Sequence, residues 1–418
     1  PADVVPRVTI VPDYIGISLN ILTVNMAVEY VHALKARFPQ AQVIFGGPQA
    51  SVTGQRLMER FSWLDAVIVG EGERTIVEIA ARMGRPDRYE GVAGVIFRRG
   101  DAIIDNGPRP MIADLDELPR PAYHLLPHLS RYRSRSRAVP VGHIFTSRGC
   151  PAACTFCYRT FGAKWRTFSV DRVLEEIAFL KENYGIRQLD IMDDNFSFDG
   201  ERAKEIFRRI IERRWDLKIN LQVGVRVNSL TPELLRLMRQ AGVFKFGFGI
   251  ESGDKDMLKR IRKGLDLDRA RALVKEARAL GFITHGYFIM GFPGDTPESM
   301  QRTIDFAKEL NPHYVSFSIC APLPGTEIYE DVRTGGEFFQ DTVDGLEEGL
   351  FALKGIFRYG ALTPEMAGMY CKKAWKEFYG RPEKILDVLG TVRSSGECQW
   401  LWRTVVEMLR SRNTAQKW

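Results

Sequence analysis

Three cysteines in the array C-x3-C-x2-C are the residues of this sequence most able to do chemistry. They are Cys150, Cys154 and Cys157. Three thiolates on one short loop cannot all pair as disulfides, and they are one ligand short of a closed tetrahedral zinc site. They can bind three irons of a [4Fe-4S] cluster and leave the fourth iron open for another ligand. The spacing therefore predicts a catalytic iron–sulfur site, with three structural cysteines on a loop as the simpler alternative.

The cysteine array follows an apolar run, residues 139–145, that is typical of a β-strand. A three-cysteine loop of this spacing after a strand resembles the signature loop of radical S-adenosylmethionine (SAM) enzymes. The resemblance implies that the open iron binds the amino and carboxylate groups of SAM. The aromatic residue before the last cysteine, Phe156, is a candidate SAM contact.

Strand-like and helix-like segments alternate after the array. The strand candidates are 144–146, 188–192, 220–225, 245–250, 284–290 and 314–319. The helix candidates between them are 170–183, 200–213, 232–241, 267–280 and 297–310. Six strand–helix units predict a partial (β/α)6 barrel, and the chemistry of such barrels lies at the carboxyl ends of the strands.

Polar or glycine-rich residues follow the barrel strands, where that chemistry is expected. Asp193 and Asp194 are paired carboxylates that suit magnesium, acid–base work or the positioning of a ligand, and we favour positioning. Arg226 offers a rigid fork that suits a carboxylate. Two later strand ends, 247–253 and 291–296, resemble SAM-binding turns of the family. The candidate SAM contacts are Phe156, Asp194, Asn195, Arg226, Glu251, Ser252, Gly291 and Pro293.

Cys320 lies at the predicted end of the sixth strand, before a segment, 322–327, that resembles another turn of the family. Its thiol could donate a hydrogen atom or bind a ligand, but we favour a buried thiol that acts as a small hydrophobic side chain. Asp193 and Cys320 are thus the candidates for catalysis, and the sequence assigns no other catalytic residue.

The first hundred residues show the same alternation. Strand-like runs at 14–19, 42–45 and 65–69, with a helical segment at 24–38, predict a parallel doubly wound sheet. Each run ends in a turn of small or polar residues, where a bulky ligand could approach the backbone. The three turns together resemble the second half of the cobalamin-binding domain that precedes many radical SAM barrels. The resemblance implies cobalamin contacts from Ser18, Asn20, Gly46, Gly47, Pro48, Gly70, Glu71 and Gly72.

This Rossmann-like (flavodoxin-like) domain departs from the family at its start. The first strands of the family, and the Asp-x-His-x-x-Gly motif of some members, would lie before about residue 10. Either the domain is abbreviated, or that segment lies outside the chain. His32 lies within the helical segment and is interpreted as a surface residue, so we expect no lower cobalt ligand from the first hundred residues.

The remaining segments divide the chain. Residues 91–105 predict a β-hairpin, a proline-rich linker follows it, and helices are expected at 363–379 and 400–412. The expected domains are a cobalamin-binding-like domain at 1–90, a hairpin and linker at 91–138, the barrel at 139–335 and a mainly helical domain at 336–418.

The composition, with 45% hydrophobic and 27% charged residues, is typical of a soluble globular protein. We expect no membrane span and no secretory leader, and the six cysteines favour the reducing cytoplasm. The net charge of +7 includes a basic run at 131–137. Nucleic-acid binding is not expected, since no RNA- or DNA-binding motif accompanies this charge.

The two resemblances together imply an enzyme that cleaves SAM to a 5′-deoxyadenosyl radical, with an electron donor such as flavodoxin or ferredoxin. We expect a cobalamin-dependent methyltransferase that methylates an unactivated carbon of a small metabolite or peptide. The alternatives are a radical cyclase, rearrangement or oxidation enzyme, a methylthiotransferase acting on tRNA, and a non-catalytic iron–sulfur protein.

Overall fold

The computed structural model describes residues 5–132, 136–221, 223, 225–339, 355–399 and 402. Within these residues the chain has an α/β architecture with two principal sheets, each covered by helices. A mainly helical segment follows the second sheet. The predicted fold class is therefore confirmed.

The first sheet has five strands in the order β1-β2-β3-β4-β5. Its strands are β1 Tyr14–Ser18, β2 Gln42–Gly46, β3 Ala66–Ile68, β4 Val95–Arg99 and β5 Ala102–Asp105. Its helices are α1 Val24–Arg37, α2 Gly47–Arg60 and α3 Glu73–Ala81. Strands β1 to β3 are parallel, as predicted, and β4 pairs antiparallel with β3. The hairpin of β4 and β5 thus continues the first sheet.

Alternate residues of the central strand β2 pack against different helices, because successive strand side chains point to opposite faces. Val43 and Phe45 belong to a core with residues of α1 and α2. Ile44 belongs to a second core that includes Ile79 of α3. Helices therefore cover both faces of this sheet, which leaves the turns at the strand ends for ligands.

The second sheet has six parallel strands, in the order β13-β12-β11-β10-β9-β6. The strands from the cysteine region onward are β6 Val141–Ile144, β7 Ser147–Arg148, β8 Arg166–Thr167, β9 Gln188–Ile191, β10 Lys218–Leu221, β11 Val243–Glu251, β12 Ile283–Met290 and β13 Tyr314–Ile319. The helices are α4 Val170–Tyr184, α5 Gly200–Glu212, α6 Pro232–Gln240, α7 Lys255–Arg260, α8 Leu267–Ala279 and α9 Pro297–Leu310. This sequential order is the predicted partial barrel.

Side chains at the helix N-termini explain why the barrel helices begin where they do. Ser169, Asp199, Thr231 and Thr296 each accept a hydrogen bond from a backbone N–H in the first turn of the helix that follows. The third barrel strand differs from its prediction. It begins at Lys218, two residues earlier than expected, and its residues Ile219, Asn220 and Leu221 are buried.

The last described part of the chain covers the edge of the barrel. Its elements are α10 Glu327–Gly335, β14 Glu337–Phe338, β15 Phe357–Arg358, α11 Pro364–Tyr379 and α12 Pro382–Leu389. Trp375 and Tyr379 of α11 donate hydrogen bonds to backbone carbonyls of β13, at 3.1 Å and 2.9 Å. The open edge of β13 is thereby satisfied. The helix predicted at 363–379 is confirmed, whereas that at 400–412 lies outside the described residues except for Trp402.

Short 3₁₀ helices also occur, at Val5–Arg7, Leu115–Glu117, Tyr123–Leu125, Leu129–Arg131 and Val227–Ser229. Of the helices in the described part of the chain, none combines the length and the apolar character that crossing a membrane requires.

The buried imidazole of His313 predicts a pH dependence of stability. Burial, reinforced by the charge of Arg278, lowers the pKa of His313 from 6.5 to about 4. Its Nδ1 accepts a hydrogen bond from Thr284 N at 3.2 Å, which suits the neutral ring. The unfolded chain binds this proton below pH 6.5, whereas the folded chain resists it until about pH 4. Folding stability should therefore fall by about 3 kcal/mol as the pH drops through this window.

Urea unfolding of wild type and His313→Gln between pH 7 and pH 4 measures this contribution. The glutamine keeps an acceptor for Thr284 N but does not titrate, so the variant should lose less stability over the window. Equal losses in the two proteins would contradict the assignment to His313. The carboxylate of Asp387, which Arg278 and Lys384 contact and which lies 3.8 Å from His313 Nε2, stays ionised in the folded chain over this window, because its pKa is about 2.

Candidate active site

The stem of the cysteine loop is held from the barrel side by a buried carboxylate. Strands β7 and β8 pair and close the loop at its base. Asp193 is completely buried and accepts hydrogen bonds from Thr146 N, Thr146 Oγ1 and Ser147 Oγ at 2.5, 2.6 and 2.6 Å. Burial raises the pKa of Asp193, although these donors and Arg202 act against the rise. Asp193 therefore anchors the stem and does not line the cavity described next.

The three cysteines lie at a cavity of about 310 Å³ at the carboxyl ends of the barrel strands. The cavity is lined by Cys150, Ala152, Cys154, Cys157, Tyr158, Arg159, Asp194, Val223, Val225, Arg226, Gly247, Gly249, Glu251, Lys263 and Tyr287. Across the described residues, no three His, Cys, Asp or Glu side chains converge on a single metal ion.

Two nitrogen donors lie near the sulfur atoms. Asn195 Nδ2 is 3.7 Å from Cys150 Sγ, and an Arg226 guanidinium nitrogen is 3.9 Å from Cys154 Sγ. A hydrogen bond with the thiol of Cys157 lowers the pKa of Cys154, and the charges of Lys263 and Arg226 act in the same direction. The same pairing raises the pKa of Cys157. The surroundings of Cys154 thus favour the thiolate, the form that binds iron.

Strand β11 shapes one wall of the cavity. Gly247, Gly249 and Glu251 alternate along the strand and face the cavity, while the residues between them are buried in the core. A methyl group on Gly249 would lie 2.6 Å from Glu251 Oε1 and 2.8 Å from Lys263 Nζ. A methyl group on Gly247 would clash with the Tyr287 ring. Glycine at these two positions therefore lets the Lys263–Glu251 pair and the Tyr287 ring pack directly against the strand.

A buried ion pair lies in this wall. Lys263 Nζ donates to Glu251 Oε1 at 2.8 Å, with the two side chains 11% and 10% exposed. Burial alone would lower the pKa of Lys263, but the charge of Glu251 outweighs it and the pKa is raised. Lys263 O accepts a hydrogen bond from Arg226 at 2.7 Å. Three charged groups are thus held at fixed positions in the cavity.

Other predicted SAM contacts lie around the cavity or away from it. Asp194 lines it, and burial raises the pKa of its carboxyl. Asn195 Oδ1 is buried and, within the described residues, has no hydrogen-bond partner. Phe156 packs against Phe292, with ring centroids 5.4 Å apart. Ser252 lies outside the cavity, because its Oγ contacts Thr303 Oγ1 at 3.1 Å.

The remaining barrel candidates are packed into the surrounding structure. Gly291 has φ +75° and lies against Ala367 of α11, so a side chain there would clash. Pro293 is buried next to the Phe292 ring. Cys320 is buried, donates its N–H to Met290 O at 2.8 Å and has a pKa raised by burial. Cys320 does not line the cavity, which suits a small hydrophobic side chain.

The glycine-rich turns of the first sheet lie beside the cysteine loop. Gly325 follows the last barrel strand. Val52 of α2 lies 3.1 Å, and Tyr158 of the loop 3.4 Å, from the position that a Cβ on Gly325 would take. Ser51 of α2 accepts a hydrogen bond from Gly70 N at 3.0 Å and donates to Gly47 O at 2.8 Å, so it ties two of the turns together.

The predicted corrin-contacting turns differ in how open they are. Gly47 has φ +87° and fits closely against Ser18 Oγ and the Leu19 backbone. Pro48 occupies the first turn of α2, which Gly46 precedes. Gly70 has φ +79° and no atom within 4 Å of where a side chain would begin. The backbone at Gly70 is therefore open to a bulky ligand. Asn20 instead caps its own turn, where its Oδ1 accepts from Leu22 N at 2.9 Å.

Comparison with known proteins assigns both regions. A family model described as the radical SAM superfamily matches residues 144–307, and one described as the B12 binding domain matches residues 2–80. The chain is 32% identical over 377 residues, 90% of this chain and 80% of the relative, to the uncharacterised methyltransferase PH0819 of Pyrococcus horikoshii. The chain belongs to the B12-binding radical SAM family.

Two further matches support the family and the fold. The chain is also 32% identical to cytidylyl-2-hydroxyethylphosphonate methyltransferase of Streptomyces wedmorensis. The match extends over 394 residues, 83% of this chain and 72% of the relative. The structure of the radical SAM methyltransferase TsrM from Kitasatospora setae, with tryptophan and a SAM analogue bound, superposes with a TM-score of 0.68 at 18% identity, over 94% of this chain and 80% of that one. The chain is therefore an enzyme of this family, with the fold that the sequence predicted.

In this radical SAM enzyme, Glu71 contacts the barrel. Its carboxylate accepts from Arg166 at 2.8 and 3.0 Å, from Arg148 at 2.9 Å and from Ile112 N at 2.7 Å. Burial would raise the pKa of Glu71, but the two arginines lower it below its usual value. Gly72 precedes α3 and packs against Ile68. In the Gly70–Gly72 turn, the backbone of Gly70 is thus open, whereas the carboxylate of Glu71 is bound by the two arginines.

Sequence reasoning gave no spatial partner for three residues of this region. Lys263 belongs to a segment, Arg262-Lys263-Gly264, that resembles a Lys-Gly pair of the family, but its partner Glu251 lies on a different element. Arg148 and Arg166 flank the cysteines, and nothing in their local sequence indicates a partner 77 or 95 residues away. The arginine on each side of the cysteine loop was the only local feature that could have indicated an acidic partner for the loop.

Proposed function

We propose that the chain is a cobalamin-dependent radical SAM methyltransferase, which methylates an unactivated carbon of a small metabolite or peptide. The observation that carries the proposal is that Val52 of α2, the helix that begins at the Gly46–Gly47 turn, and Tyr158 of the cysteine loop both pack beside Gly325. This contact would bring a corrin and a SAM molecule to the same space. The names of the two relatives above, both methyltransferases, support the same reaction.

The residues of the chain fit the cofactors. Cys150, Cys154 and Cys157 would hold the [4Fe-4S] cluster, and the turn at Gly70 leaves its backbone open for cobalamin. When bound, the cluster supplies the electron that cleaves SAM to a 5′-deoxyadenosyl radical, and the corrin supplies the methyl group.

The chain itself would orient SAM by charge. Arg226 and the Lys263 end of the Lys263–Glu251 pair would face the carboxylate of SAM. Asp194, Glu251 and Asn195 Oδ1, which has no hydrogen-bond partner among the described residues, would face its ammonium group. The two glycines of β11 let the Lys263–Glu251 pair and the Tyr287 ring pack directly against the strand, which helps to fix these charges in place. SAM would therefore be held by side chains from several strand ends.

The proposal includes the conditions of the reaction. The substrate must enter between the cavity and the turns of the first sheet, and an electron donor such as flavodoxin or ferredoxin must reduce the cluster. A reducing compartment, for which we propose the cytoplasm, keeps the three thiols available as ligands.

Anaerobic reconstitution tests the proposal. The chain is loaded with iron, sulfide and hydroxocobalamin, and iron and corrin are quantified after desalting. We expect about one cluster and about one corrin per chain. Reaction with SAM labelled in its methyl group should then place label in a substrate product. A cluster-loaded chain that retains no corrin would refute the methyltransferase, and 5′-deoxyadenosine formed with an unlabelled product would favour a radical cyclase, rearrangement or oxidation instead.

A further inference from the structure

Glu71 is the meeting point of the first domain and the cysteine loop. Its side chain is 3% exposed, and that of Arg166 is 4% exposed. Both carboxylate oxygens of Glu71 accept hydrogen bonds from arginine or backbone donors. A carboxylate so fully engaged has no lone pair left in an obvious position for a ligand. It is a component of the fold at this point and not a free contact for a corrin.

The two arginines come from the two ends of the same loop. Arg148 lies two residues before Cys150, and Arg166 follows the loop where β8 begins. Arg166 also donates to Phe161 O, within the second half of the loop, at 3.1 Å. Because β7 and β8 pair with each other, Glu71 contacts both strands of the stem at once.

The charges of this cluster balance. Arg148 donates to Glu73 Oε1 at 2.6 Å as well as to Glu71, so two arginines face two glutamates. Arginine forks impose direction as well as attraction, and water is largely excluded here. Two surfaces in apolar contact can shift relative to each other, because such contacts have no preferred direction. These directional hydrogen bonds instead hold the cysteine loop in one position against the Gly70–Gly72 turn. The cluster of Glu71, Glu73, Arg148 and Arg166 is named the clasp.

We propose that Glu71 is a positioning residue, which acts through Arg148 and Arg166 to set the position of the cysteine loop relative to the Gly70–Gly72 turn. This inference rests on the proposed function, in which SAM bound at the loop must reach a corrin at the turn. The clasp fixes the separation of the two cofactors. Asp193 and Arg202 hold the same stem against the barrel, so the loop is located from both sides.

The test compares Glu71→Gln with wild type in the cluster-loaded, full-length chain. Glutamine preserves the shape but removes the charge that both arginines share. Two rates are measured: the reductive cleavage of SAM, which needs only the cluster, and the transfer of a methyl group from SAM to added cob(I)alamin, which needs both cofactors aligned. We expect the second rate to fall at least tenfold more than the first.

Amide hydrogen exchange provides a readout that does not depend on the corrin. In Glu71→Gln, exchange should speed up in both segments that the clasp joins, 69–74 and 146–168, and should remain unchanged in α8. Arg148→Lys keeps the charge but loses the second donor group, and should show smaller changes in the same direction. Glu309→Gln, which removes an exposed partner of Arg271 in the barrel helices, is the matched control and should behave as wild type.

The outcomes separate the inference from its foundation. If both rates fall in the same proportion, or if neither changes, the clasp has no positioning role. If the wild type takes up no corrin, the proposed function fails, and exchange alone decides: faster exchange in both segments supports the clasp, while a change confined to 69–74 overturns it.

Discussion

Replacement of Cys154 by alanine is expected to abolish assembly of the cluster and with it the cleavage of SAM. Cys154 is the most buried of the three cysteines, and the pairing with Cys157 and the nearby cations lower its pKa, which favours the thiolate that binds iron. Its loss leaves two thiols on the loop, which are too few for a site-differentiated cluster. After anaerobic reconstitution we expect less than about a tenth of the wild-type iron and a loss of roughly 10³-fold or more in 5′-deoxyadenosine formation.

The matched control for this experiment is Cys320→Ala. Cys320 is also buried near the barrel mouth, but it does not line the cavity. The control variant should keep its iron and its SAM cleavage, because the thiol acts as a small hydrophobic side chain. A Cys154 variant with a full complement of iron would contradict the assignment of the cluster ligands. A Cys320 variant that retains iron but loses activity would instead make Cys320 a catalytic residue.

The regular parts of the fold could be predicted because their signals are local. The apolar alternation of the barrel strands and the capping residues Ser169, Thr231 and Thr296 lie within a few residues of the elements they specify. The alternation of strands and helices was predicted for the first domain, but no bounds were given for α2 or α3. In α2, the glycines and Pro48 that indicate a turn also occupy the start of the helix.

The site could be predicted only in part, because its members meet through the fold. Glycine at positions 247 and 249 and the carboxylate at 251 follow the period of a strand, so their common face could be inferred. Glu71 was assigned to a corrin on local grounds, whereas its partners come from beyond residue 110. Asp193 and Asp194 are neighbours in sequence, but Asp193 bonds to the stem of the cysteine loop and Asp194 lines the cavity. Only the fold distinguishes these two roles.

The pair of Lys263 and Glu251 should contribute strongly to stability, which Lys263→Met tests. Both side chains are about nine-tenths buried, so removing the lysine leaves a largely buried carboxylate without its counter-charge. We expect a loss of about 3–5 kcal/mol in the free energy of unfolding, measured by urea denaturation of the cofactor-free chain. Arg271→Met removes one member of an exposed pair with Glu309 and should cost less than about 1 kcal/mol.

A double variant separates the pair from the packing of its atoms. Glu251→Gln combined with Lys263→Met removes both charges, and its loss of stability should be smaller than the sum of the two single losses. Losses that simply add would mean that the two side chains act independently, and a Lys263→Met loss no larger than that of Arg271→Met would contradict a buried pair. The substitution also removes a charge that lowers the pKa of Cys154, so the same residue links the stability of the cavity wall to the thiolate that binds iron.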